Sequence, residues 1–221
     1  MTRPRDDDAE RPEREAPRVR DMPAPRKNES AAGGFMQEIF AWPYRAILAF
    51  LIWTGVRPWQ LTAASPVFIV LSGWQIVTGN WAVAGILLLI GGLCDVFDGS
   101  VARHRGESKR SGAFMDSVLD RVSDMILFSC LFWDLAAKGE TVQAALALLT
   151  LIVSLGVSQV RAEAEAVGVK LTEGLFQRLE RFLALLVGLL IPGMMFPALI
   201  LLAVLGVFTL AQRGFSALTQ A

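Results

Sequence analysis

From residue 36 onward the chain is a succession of long apolar runs, cut at intervals by a few polar residues. A helix needs roughly 20 largely apolar residues to cross a bilayer. The runs predict such helices at about 59–77, 81–103, 111–137, 141–165, 174–191 and 196–216. The cuts are Thr78-Gly79-Asn80, the charged stretch His104 to Arg110, Lys138-Gly139-Glu140, the stretch from Gly168 to Thr172, and Pro192-Gly193 to Pro197. Residues 36–55 are apolar too, but Glu38, Pro43 and Arg45 interrupt them. Trp42, Tyr44 and Trp53 are residue types favoured at the lipid–water boundary. This stretch predicts a helix lying along the membrane surface. The expected fold class is an all-α integral membrane protein, with an N-terminal interfacial amphipathic helix within 34–58 and six transmembrane helices within 59–221.

Composition agrees. Hydrophobic residues make up 53% of the 221 residues, too many for an ordinary soluble domain of this size. Zero net charge gives no basic field for nucleic acid, so none is expected as a partner. Cys94 and Cys130 both fall in apolar helical stretches, which argues against a disulfide framework. His104 is the single histidine, which leaves little for a His-based metal site or a Ser-His-Asp triad.

Residues 1–33 differ. They hold eight basic and eight acidic residues and almost no large apolar side chains. Such a segment cannot bury a core and is expected to be a disordered tail. A secretory signal would place an apolar stretch after a short basic region; none is seen, so the tail is expected in the cytoplasm. Arg105, Lys109 and Arg110 sit on one connection, Lys170 on another with Arg161, Arg178 and Arg181 flanking it, and Arg213 lies near the C-terminus. The opposite connections carry only Lys138. Positive residues collect on the cytoplasmic side, so both termini are expected there, in a multi-pass protein of the cell membrane.

Four carboxylates stand inside the apolar runs. They form the pattern Asp95-x2-Asp98-Gly99-x2-Ala102-Arg103, eight residues, then Gly112-x3-Asp116-x3-Asp120. Charges within spanning helices are costly and usually mark function. Positions three and four apart share a helix face, so each of two helices offers a pair of carboxylates. Together these could hold a pair of divalent cations, and Mg2+ or Mn2+ suits oxygen ligands and a diphosphate substrate. Arg103 lies about one turn from the carboxylates, where a guanidinium could bind a phosphate. Gly99 and Gly112 predict close approach of a ligand or a helix.

At every fixed position this pattern resembles the signature of the CDP-alcohol phosphotransferase family. The resemblance implies transfer of a phosphatidyl group from CDP-diacylglycerol to an alcohol, with release of CMP, in phospholipid biosynthesis. It also implies two metal ions held by Asp95, Asp98, Asp116 and Asp120, with Asp120 as candidate general base, and a CDP pocket lined by Gly99, Ala102, Arg103 and Gly112. A homodimer is implied as well. Residues 161–166 and 174–181 resemble the corresponding segments of phosphatidylinositol-phosphate synthases. Arg161, Arg178, Arg181 and Arg213 would then bind the phosphate of a soluble acceptor such as inositol phosphate. Four arginines at cytoplasmic helix ends suit a dianionic group. Gln159 stands where those synthases typically carry lysine, and Trp59 where many family members carry asparagine.

Glycerol 3-phosphate is the alternative acceptor. An intramembrane prenyltransferase would also bind diphosphate through aspartates and Mg2+, but its two acidic motifs lie far apart in sequence. A cation transporter could use the carboxylates alone. Neither explains Ala102 and Arg103 at fixed offsets.

Overall fold

The computed structural model describes residues 19, 22–23, 31–107, 110–169 and 178–220. Among them are seven helices: α1 (Ala31–Trp53), α2 (Pro58–Val77), α3 (Trp81–His104), α4 (Arg110–Ala137), α5 (Thr141–Ala166), α6 (Arg178–Leu190) and α7 (Met195–Gln220). Each apolar run became one helix, and the polar cuts became the connections. Residues 174–177, expected to open the fifth span, lie outside the described residues, as do Lys109 and Lys170.

Helix ends follow a common chemistry. After α2, Gly79 takes a φ of 81°, a conformation open mainly to glycine. The Asn80 N–H then reaches back to the Gln75 carbonyl at 2.9 Å. The turn after α4 repeats this with Gly139 and Glu140, whose N–H meets the Leu135 carbonyl at 2.9 Å. Carbonyls that would otherwise be left bare at the membrane boundary are satisfied this way.

Four helices, α2, α3, α5 and α7, are long and apolar enough to cross a membrane. They mark a multi-pass membrane protein. Helix α4 is long, but Asp116, Asp120, Arg121, Asp124 and Asp134 lower its apolar content, and α6 has 13 described residues.

Main helix contacts run α3–α2–α4–α5–α7–α6 and back to α3, so α2 to α7 form a closed ring. Helix α1 packs outside it, against α3. Ile76, Leu88, Leu127, Phe128, Leu131, Leu185, Leu199 and Leu202 belong to the buried core of the ring. Outward-facing residues such as Val70, Trp74, Ile86, Val204 and Phe208 are exposed and apolar, as lipid contact requires. Small residues set the closest approaches, a habit of membrane helices. A Cβ on Gly92 of α3 would lie 2.5 Å from the Phe182 ring of α6, and one on Gly206 of α7 would lie 2.9 Å from Val153 of α5.

At the end of the bundle away from the arginines, the buried Asp134 accepts a hydrogen bond from Trp81 Nε1 at 2.9 Å and pairs with Lys138 at 2.6 Å. Lys138 also lies 4.5 Å from the Trp81 ring centre. The cluster ties the start of α3 to the end of α4. Of the tail expected over 1–33, the described residues are Val19, Met22, Pro23 and the first three of α1. Met22 is buried in a cluster with Leu48, Leu61, Phe97 and Val101. The remainder of that segment lies outside the described residues.

Candidate active site

Asp95 on α3 and Asp116 and Asp120 on α4 converge, with one carboxylate oxygen from each within 4.8 Å of the others. Modest side-chain rotation would let one ion touch all three. An all-oxygen set without His or Cys suits a hard divalent cation. Asp98 is not in this group. Its Oδ2 accepts a hydrogen bond from the Thr62 hydroxyl of α2 at 2.7 Å. Arg178, at the start of α6, donates to Asp95 Oδ2 at 2.8 Å and also pairs with Asp120. The guanidinium therefore partly neutralises two of the three carboxylates.

A cavity of about 380 Å3 opens beside this group. Asp116, Asp120, Asp124, Arg161, Arg178, Arg181 and Arg213 all line it. The four arginines expected to act together thus do share one space. Their settings differ. Arg181 Nη1 donates to Ser154 Oγ at 2.7 Å, and its Nη2 lies 3.4 Å from Asp124. Ser154 Oγ itself donates to Asp124 Oδ2 at 2.5 Å. Arg161 pairs with Glu165 at 2.9 Å, with both side chains exposed, which contributes little. Arg213 is buried within α7 and does not stand at a helix end, because that helix continues past residue 216 to Gln220.

The remaining motif residues lie on the α3 side. Arg103 is exposed, and its guanidinium folds back over Gly99, where a Cβ would stand 3.2 Å from Nη1. The close approach that Gly99 permits is therefore to Arg103. Gly112 is exposed, and among the described residues a Cβ there would meet nothing within 4 Å. Ala102 is half-buried beside Arg103.

The family model for CDP-alcohol phosphatidyltransferase matches residues 56–211. The chain belongs to that family. It is 40% identical over 141 residues to an archaetidylinositol phosphate synthase of Methanothermobacter thermautotrophicus, covering 62% of this chain and 70% of that one. To a phosphatidylinositol phosphate synthase of Corynebacterium glutamicum it is 35% identical over 175 residues, covering 76% and 80%. The fold matches the crystal structure of Mycobacterium tuberculosis phosphatidylinositol phosphate synthase with CDP-DAG bound, with a TM-score of 0.70 and 28% identity over 78% of this chain and 92% of that one. The same mycobacterial enzyme, solved in complex with manganese and citrate, matches with a TM-score of 0.69 and 28% identity, covering 79% and 88%.

The protein is thus a CDP-alcohol phosphatidyltransferase, and the prenyltransferase and transporter alternatives fall away. Sequence reasoning passed over several polar residues of this transferase. Thr62, Ser154 and Ser158 each hold a charged group: Thr62 holds Asp98, Ser154 holds Arg181, and Ser158 accepts from Arg121 Nε at 2.7 Å. A signal existed, since Ser154, Ser158, Arg161 and Glu165 recur at helical spacing along α5. Asp124 bonds Ser154 and lies 3.4 Å from Arg181 Nη2.

Proposed function

We propose that the enzyme transfers the phosphatidyl group of CDP-diacylglycerol to inositol phosphate, releasing CMP, in phospholipid synthesis. The observation that carries this reading is the shared cavity, in which Asp116 and Asp120 of the carboxylate trio meet four arginines. Carboxylates of this kind suit the metal that holds a diphosphate, and arginines suit an acceptor that itself bears a phosphate. The names of the relatives, an archaetidylinositol phosphate synthase and a phosphatidylinositol phosphate synthase, support the same acceptor.

In this reading Asp95, Asp98, Asp116 and Asp120 hold two Mg2+ ions, with Mn2+ able to replace them. When bound, the metal neutralises the diphosphate and the charge that develops at phosphorus. Gly99, Ala102, Arg103 and Gly112 line the space for CDP. Arg161, Arg178, Arg181 and Arg213 orient the acceptor's phosphate, which places its hydroxyl near Asp120. Asp120 takes the hydroxyl proton as the oxygen attacks the lipid-bearing phosphorus. The bond from that phosphorus to the bridging oxygen breaks, and CMP departs with that oxygen. A phosphate-free alcohol would leave the set of four arginines without an obvious purpose.

Helices α2 to α7 are the six spans, α1 lies at the interface after a cytoplasmic tail, and both termini face the cytoplasm of a homodimeric enzyme in the cell membrane. Lipid would then enter sideways from the bilayer and acceptor from the cytosol. The test is CMP release by purified protein in detergent with CDP-diacylglycerol, Mg2+ and one acceptor at a time. Release with inositol phosphate, and not with glycerol 3-phosphate, free inositol or serine, is expected. Release with glycerol 3-phosphate alone would overturn the acceptor assignment and keep the reaction.

A further inference from the structure

Arg103 is exposed on α3, yet its guanidinium is held. Its Nη2 donates to Ser100 Oγ at 3.0 Å. Ser100 is 3% exposed and receives a second hydrogen bond, from the Tyr44 hydroxyl of α1 at 2.6 Å. The Ser100 proton goes to the Val96 carbonyl at 2.9 Å. A hydroxyl has one proton and two lone pairs, so Ser100 is used to capacity. The Tyr44 ring stacks on Phe97 with centres 5.1 Å apart and planes at 22°, which fixes where its hydroxyl points. On the other side, the missing Cβ of Gly99 leaves the room the guanidinium fills.

We propose that Tyr44 is a positioning residue for the CDP side of the site: through Ser100 it holds the Arg103 guanidinium over Gly99, ready for a phosphate of the CDP-lipid. This rests on the reading of Arg103 as a CDP-pocket residue. Tyr44 is 56 residues from Ser100 and lies outside the acidic motif, so the interfacial helix supplies part of the nucleotide site. A long arginine side chain loses conformational freedom when it binds, and holding it in advance removes that cost from substrate binding. Packing alone would need the Tyr44 ring, but not its hydroxyl.

Tyr44→Phe keeps the ring and the stacking and removes one hydrogen bond. The KM for CDP-diacylglycerol should rise about three- to tenfold, with kcat and the acceptor KM within about twofold of wild type. The thermal unfolding temperature in detergent should be unchanged. Ser100→Ala, which removes the hub, should raise the same KM. In an Arg103→Ala background, Tyr44→Phe should have no further effect. If Arg103→Ala raises the lipid KM but Tyr44→Phe does not, the relay is refuted while the reading of Arg103 stands. Equal effects of Tyr44→Phe in both backgrounds would also refute it, because Tyr44 would then act independently of Arg103. An unchanged lipid KM in Arg103→Ala would overturn the role of Arg103 and this inference with it.

Discussion

Arg178 should compete with the metal for its carboxylates, and removing its charge should tighten metal binding while slowing transfer. The guanidinium donates to Asp95 at 2.8 Å and pairs with Asp120, and both belong to the trio within 4.8 Å. A divalent cation entering the trio must share those oxygens or displace the guanidinium. The Arg178 side chain is 46% exposed, so solvent screens both pairs. Each is then worth about 0.2–1 kcal/mol, well below an interior figure. Two such pairs amount to about 0.5–2 kcal/mol, or about two- to thirtyfold in a dissociation constant. Arg178→Gln keeps a polar side chain and loses the charge. Isothermal titration of the purified variant with Mn2+ should give a dissociation constant lower than wild type by that factor. CMP release should fall in the same variant, because the cavity proposed to take the acceptor loses a positive group. Arg178→Lys should bind Mn2+ much as wild type does. Unchanged or weaker Mn2+ binding in Arg178→Gln would refute the competition.

Other expectations follow from the same geometry. Asp116→Asn should abolish CMP release and remove the rise in unfolding temperature that Mn2+ gives the wild type; for a ligand at one hundred times its Kd that stabilisation is about 2.7 kcal/mol. Ser154→Ala removes the hydroxyl between Arg181 and Asp124, and should raise the inositol phosphate KM about three- to tenfold with the CDP-diacylglycerol KM unchanged. Gly92→Ala would place a Cβ 2.5 Å from the Phe182 ring, and should cost about 1–3 kcal/mol of stability, read as a lower unfolding temperature in detergent.

The helices were legible because lipid imposes one rule: backbone groups must be satisfied within the segment, so apolar runs become helices and glycine-bearing cuts become turns. The aspartates were legible from spacing and from the cost of charge in a membrane. Their grouping in space was not. Asp95 and Asp98 differ by about 60° around α3, and Asp116 and Asp120 by about 40° around α4. Spacing alone therefore places all four on inward faces. Only the packing of α2 beside α3 turns Asp98 to Thr62 and leaves the other three together. Arg178 was expected among the acceptor arginines, and it does line that cavity. Its reach to Asp95 and Asp120 depends on where α6 meets α3, a long-range contact invisible in the local sequence. Tyr44 was legible only as an interfacial aromatic, because its partner lies on another helix.

Helix α6 is the element through which the two halves of the reaction would influence one another. Arg178 reaches the carboxylate trio and Arg181, one turn on, bonds Ser154 in the wall of the arginine-lined cavity. The Gly92–Phe182 contact sets how closely α6 approaches α3, and hence how far Arg178 reaches. A metal that takes the oxygens of Asp95 and Asp120 would free a guanidinium at the edge of the cavity where an acceptor phosphate would bind. Coupling of binding free energies is reciprocal, so an acceptor phosphate that engages Arg178 must tighten the metal by the same factor. Mn2+ titrations with and without inositol phosphate measure that factor in the wild type. Direct contact between metal and phosphate would also contribute, and Arg178→Gln separates the two. The part of the coupling carried by the guanidinium should vanish in the variant. Coupling of equal size in both proteins would place Arg178 outside the communication between metal and acceptor.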